Sequence, residues 1–259
     1  MELIVFAVCL AASAAGGICG IGGGIIIKPV LDAMGIMSVS AISFLSGMTV
    51  MTMAAVTVFR QGKSGLVEFR TGFPLAAGAA AGGITGNWLF QLLKAAAGQD
   101  ALVGMIQAAV LALVTLLTLL YHLVLRRRFR TYHVKNPAAC GLIGGLIGVL
   151  SAFLGIGGGP INLVALYAAF SMDTKKAAAN SLYIILFSQA ASFSLSCLRG
   201  TIPPFPCLYL PLMAAGGLGG GMLGAEINKR LSSGAADRLF PGMLGIIILI
   251  CLYNLLRFV

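Results

Sequence analysis

The chain has 259 residues, of which 59% are hydrophobic and 9% charged, with a mean hydropathy of +1.01. A soluble domain carries roughly 25% charged residues, so this composition excludes one and points to a polytopic α-helical membrane protein. The net charge of +10 would suit nucleic acid in a soluble protein; here the basic residues read as decoration of cytoplasmic loops, with no nucleic-acid partner.

The first apolar stretch runs over about 2–17 and lacks the basic leader of a cleaved signal, so it reads as retained. It ends in Gly20-Ile-Gly-Gly-Gly24, where four glycines in five residues break a helix and bare backbone N–H groups. A short apolar piece, 24–34, follows, and then long stretches over 37–59, 66–93 and 99–125. Continuous runs such as Leu111–Leu120 exclude an outer-membrane barrel, whose strands alternate apolar and polar residues. A basic loop, Arg126 to Lys135, separates the two halves, with His122 and His133 flanking it. The sequence then begins again: a stretch over 137–153, the break Gly155-Ile-Gly-Gly-Gly159, a short piece 160–171, and long stretches over 175–198, 203–228 and 235–257.

The halves, 1–130 and 131–259, match beyond the glycines. Ser43-Phe44 pairs with Ser181-Leu182, Gln61-Gly62 with Arg199-Gly200, Pro74-Leu75 with Pro211-Leu212, and Gly82-Gly83 with Gly220-Gly221. The offset drifts only from 135 to 138, which marks an internal duplication. Each pre-glycine stretch has about 16 residues, or about 24 Å of helix, short of a roughly 30 Å hydrocarbon core. If those stretches cross fully, the halves are parallel and the basic residues divide 10 to 6 between the two sides. If they dip in and return, the halves are inverted and the division is 13 to 3, with Lys94, Arg199 and Arg257 opposing the rest. The positive-inside rule favours the second: inverted repeats, each a glycine-broken re-entrant hairpin plus three transmembrane helices, with both termini outside.

The doubled Gly-x-Gly-Gly-Gly element, the downstream Pro29-Val30-Leu31 and the two-half layout resemble the sulfite exporter TauE/SafE family of bacterial membrane permeases. The second copy departs from that pattern, with Pro160 directly after its glycines and Val164 in the place of Pro29. The resemblance implies a multi-pass bacterial inner-membrane transporter of sulfur-containing anions such as sulfite or organosulfonates. It fixes neither substrate nor direction. An exporter is the first reading; an importer of the same anions or an anion channel is the alternative.

Physics supplies an anion site without the family. A helix beginning inside the membrane leaves about four N–H groups unpartnered and carries about half a positive charge there, which suits an oxyanion. Gly22, Gly23, Gly24, Gly157, Gly158 and Gly159 are therefore expected to cradle the substrate near the midplane, with Pro160 starting the second half-helix. Lys28, one turn beyond, stands as an isolated intramembrane cation, and Asn162 as an amide donor in the other half. Ser43, Asn180 and Ser181 complete the expected set, with Asn87, Gln107 and Gln189 as weaker candidates of the same kind. Gly82, Gly83, Gly86 and Gly216–Gly221 read instead as helix-packing surfaces. All seven carboxylates fall near stretch ends or loops, so no proton relay stands out and facilitated movement is expected. The six cysteines are scattered singly as small hydrophobes, which gives neither a disulfide framework nor a metal site, and no cofactor is implied. Without a nucleophile–base pair within the bilayer, an enzyme is not expected.

Overall fold

The computed structural model describes residues 1–61, 65–126 and 131–258, and among these every regular element is helical. The helices are α1 (Glu2–Cys19), α2 (Gly24–Met34), α3 (Val39–Gln61), α4 (Phe69–Ala97), α5 (Asp100–Leu120), α6 (Pro137–Leu154), α7 (Gly159–Phe170), α8 (Thr174–Leu198), α9 (Tyr209–Arg230) and α10 (Ser233–Phe258). A π-helical stretch, Tyr121–Leu125, extends α5. Of the basic residues used to judge topology, Lys63, Arg127, Arg128 and Arg130 lie outside the described residues.

Local chemistry sets the boundaries. Both pre-glycine helices end on a left-handed glycine, Gly20 at φ 74° and Gly155 at φ 65°, a backbone region that a side chain disfavours. The Asn136 side chain caps α6 by accepting from the Ala138 N–H at 2.9 Å, and Pro137 follows at the first helical position. Asp173 caps α8 in the same way, through the Lys176 N–H at 2.9 Å.

Among the described residues, six helices are long and apolar enough to cross a membrane: α1, α3, α5 with its π extension, α6, α8 and most of α10. That set differs from the expected one. The pre-glycine helices qualify because each reaches 18 residues, longer than the sequence reading gave them. The glycine-rich α4 and α9 do not qualify, since α4 ends in Asn87, Gln91 and Lys94 and α9 in Glu226, Lys229 and Arg230.

Packing interlocks the halves. The first helix of each half lies on the fourth helix of the other, α1 on α9 and α6 on α4. Glycines make both contacts close. Gly78, Gly82 and Gly86 of α4 abut Gly141, Gly145 and Val149 of α6 in rising order, so these helices run parallel. Gly216, Gly220 and Gly224 of α9 meet Cys9, Ser13 and Gly17 of α1, again in parallel. These runs are packing surfaces, as their spacing implied. In the centre, α3 and α8 run antiparallel, with Gly47 beside Gln189, and Val50 and Ile185 in one buried cluster. Helices α5 and α10 are also antiparallel, joined by His122 on Phe240 and Arg126 on Asp237.

Candidate functional site

The two glycine turns meet in the middle of the molecule, backbone to backbone. A Cβ on Gly24 would stand 2.7 Å from the Ile156 carbonyl oxygen, and one on Gly159 would overlap the Ile21 carbonyl. Gly22 and Gly157 both lie against Val50 and Ile185; Gly23 packs on Ser13 and Gly158 on Ser151. All six glycines expected to cradle substrate are buried; Gly24 and Gly159 lack side chains where the turns meet, and the other four where Val50, Ile185, Ser13 and Ser151 pack against them.

A cavity adjoins the second turn. It is bounded by the N-terminal part of α3, the C-terminal parts of α4 and α8, and the end of α6, and encloses about 50 Å³. Its buried end is formed by Ser43, Gly47, Gly155 and Gln189, and its half-exposed end by Gln91, Lys94, Thr201 and Pro203. Space for a water takes roughly 10–15 Å³ on this measure, so a small oxyanion or a few waters fit. Among the described residues the polar lining consists of hydroxyls, amides and one ammonium; the Asp100 carboxylate stands behind it, accepting from Ser40 Oγ at 3.4 Å. Asn87 Nδ2 donates to Ser192 Oγ and Ser196 Oγ, each at 2.9 Å. The buried Gln189 Nε2, a donor, has no partner among the described residues. Ser40 stands in the first turn of α3, so the positive end of that helix faces the cavity. Phe44, Phe90 and Phe193 supply the apolar wall.

Of the residues singled out from sequence as binding substrate, Ser43 lines this cavity and the others do not. Lys28 is not an isolated cation: its Nζ lies 2.7 Å from Asp32 Oδ2, with the two side chains only 3% and 5% exposed. The pair borders a separate cavity of about 10 Å³ with Gln107, Leu154, Cys251 and Asn254. Asp32 is thus a buried carboxylate, although it sits near a helix end. Asn162 is fully buried, and neither end of its amide has a partner among the described residues. Asn180 braces the α3–α4 connection, donating to Leu66 O and Lys176 O and accepting from the Glu68 N–H. Ser181 is buried on α8. The register of the two halves also differs from the sequence match. Gly20 rests on Ala178 and Gly155 on Ser43, so Ala178, not Ser181, is the structural counterpart of Ser43. Four cysteines are buried as expected, while Cys197 and Cys207 are exposed.

Of the weaker candidates, Asn87 and Gln189 line this cavity, and Gln107 accepts from Ser43 at its edge, Oγ to Oε1 at 3.5 Å. Ser40, Lys94, Ser192 and Ser196 were missed. Their signal was helical spacing: Asn87, Gln91 and Lys94 recur at one face of α4, and Gln189, Ser192 and Ser196 at one face of α8.

Around the turns, Ser13, Ser46, Ser151, Ser181 and Ser188 are buried hydroxyls without partners among the described residues. Ser46, Ser181 and Ser188 stand about one helical turn from Val50 or Ile185 on the central antiparallel pair.

The family model described as Sulfite exporter TauE/SafE matches residues 5–253. No curated protein and no solved structure matches the chain.

Proposed function

This chain belongs to the sulfite exporter TauE/SafE family of membrane transporters, and from that premise we propose that it carries small sulfur-containing anions, sulfite or organosulfonates, out across a bacterial inner membrane. The observation that carries the reading is the cavity between α3, α4 and α8: donors line it, a lysine stands at its open end, and among the described residues no carboxylate lines it. Such a lining favours a negative guest, because hydrogen bonds to charged groups are worth about 1.5–3 kcal/mol each. The outward direction rests on the family description alone.

The carrier reading places the halves as inverted repeats, each a re-entrant hairpin followed by three spanning helices. The antiparallel α3/α8 and α5/α10 pairs support it, as does the 13-to-3 division of basic residues. The cavity then opens outward, on the side of both termini. The unpartnered hydroxyls beside the glycine turns are donors available to an anion on its way through the midplane once the turns part.

Purified protein tested with sulfite, sulfate, isethionate and chloride decides the matter. A ligand that binds only the folded state at about 100 times its dissociation constant stabilises it by about 2.7 kcal/mol. Sulfite or isethionate should raise the melting temperature and should be carried into liposomes, and Gln189→Met should weaken both effects. No anion-dependent shift, with flux equal to that of protein-free liposomes, would refute the reading.

A further inference from the structure

We propose that Lys28 and Asp32 form a proton site, in which Asp32 takes up one proton each time an anion occupies the neighbouring cavity, so that proton and anion move together; this rests on the anion-transport reading above.

Asp32 uses one carboxylate oxygen, Oδ2, on the Lys28 ammonium. Its other oxygen, Oδ1, is buried without a partner, and so is Asn254 Oδ1, whose amide donates to Pro29 O at 2.8 Å. Both residues border the same cavity of about 10 Å³. Buried acceptors left unpaired are costly, and both would be relieved by a donor in that space. A metal cation would have to sit beside the ammonium. A proton on Oδ1 also adds a positive charge, but it needs no coordination shell in so small a space, and it turns the carboxylate into a neutral donor beside the cavity that Asn254 also borders.

Charge then couples the two cavities. With the pair intact, the Lys28 and Asp32 charges cancel. A proton passing from water to Asp32 Oδ1 leaves the Lys28 charge uncompensated and adds one positive charge to the site, which an anion nearby offsets. Gln107 links the two. It borders the small cavity, donates to Phe153 O at 2.7 Å, and accepts from Ser43, which lines the anion cavity. Few other titratable or charged groups face the pair. From α10 come the Cys251 thiol and Arg257, whose guanidinium donates to the Asp32 and Ala33 carbonyls. The Cys9 thiol of α1 packs on Ile27 and Leu31, while α3 offers Ile42 and Leu45, α5 offers Gln107, Ala108 and Leu111, and α6 offers Leu154.

The test uses the full chain in liposomes and isethionate, whose sulfonate does not itself titrate near neutrality. With the outside about one pH unit more acid, one proton per anion should concentrate isethionate about tenfold inside, and its uptake should acidify the lumen. A sodium gradient should do neither. Asp32→Asn, checked for folding by its melting curve, should lose both effects, and Asp32→Glu should regain part of them. Adding isethionate to wild-type protein at constant pH should raise a carboxylic-acid C=O infrared band that Asp32→Asn lacks. Isethionate carried by the wild type without acidification, or driven by sodium instead, overturns the proton site and leaves the transport reading standing. If isethionate neither shifts the melting temperature nor crosses, both fall.

Discussion

Replacing Gly24 with alanine tests whether the glycines serve the contact between the two turns. The new Cβ would stand 2.7 Å from the Ile156 carbonyl oxygen and 2.7 Å from Val50 Cγ2, about 0.7 Å inside the 3.4 Å at which ordinary contact begins. Val50 can shift by rotating its side chain. Ile156 cannot, because the atom in the way is main chain and its N–H is tied back to Ser151 O at 3.4 Å. Overpacking of this kind costs typically about 1–3 kcal/mol. Gly24 has an ordinary helical φ, so no backbone strain adds to that figure. Alanine is intrinsically the better helix former by about 1 kcal/mol, which sets the sign expected where space is free. Gly245→Ala on α10, with nothing within 4 Å of its Cβ, is the matched control. At about 2–4 °C per kcal/mol, Gly24→Ala should melt several degrees below wild type, and Gly245→Ala at or slightly above it. Thermal unfolding in one detergent, monitored by intrinsic fluorescence, reads both. Equal melting temperatures for the two variants would refute the packing role and return the glycines to the role of an open cradle.

Lys28→Met should destabilise the protein by about 3–5 kcal/mol, because it strands the buried Asp32 carboxylate, and the double variant Lys28→Met/Asp32→Leu should recover much of that loss in the same melting assay. Asn87→Leu removes the amide that ties Ser192 and Ser196, and should weaken sulfite binding by at least several-fold in the thermal-shift titration while leaving the α3–α8 core intact. Lys94→Met should raise the sulfite concentration needed for half-maximal flux, with the largest effect at low salt. An impermeant maleimide applied from outside should label native Cys207, and a cysteine placed at Ser232 in the α9–α10 turn should resist it; the opposite pattern would reverse the orientation.

The helical class, the ten segments and the two breaks were legible because composition and glycine spacing act locally. The α2 boundaries came out as read, since Gly24 and Gly35 bracket them. The partner of Lys28 was legible too: Asp32 lies four residues on, the spacing at which helical side chains meet, but its nearness to a helix end hid its burial. Two things were not legible. A glycine needed for a ligand and one needed for a neighbouring backbone look alike in sequence, and the close approach of the opposing turn at Ile21 and Ile156 arises only from the folding together of distant segments. Matching serine to serine set the third helices three residues out of register. A slip of nearly one turn keeps the same face, so no hydrophobic pattern protested, and the contacts of Gly20 and Gly155 were needed to place Ala178 opposite Ser43.

The crossed packing of α1 on α9 and α6 on α4 bears on how the chain is assembled. Helix α1 is complete at Cys19, yet the surface it settles against does not begin until Tyr209. During synthesis the first hairpin must therefore wait, its Gly16–Gly17 face held by lipid or by the insertion machinery, until nearly the whole protein has been made. Neither half can close its core alone. Two separately expressed fragments, cut in the loop after α5, should be degraded when made singly and should rescue each other when made together, and a nascent chain arrested before α9 should remain open to protease at its first hairpin.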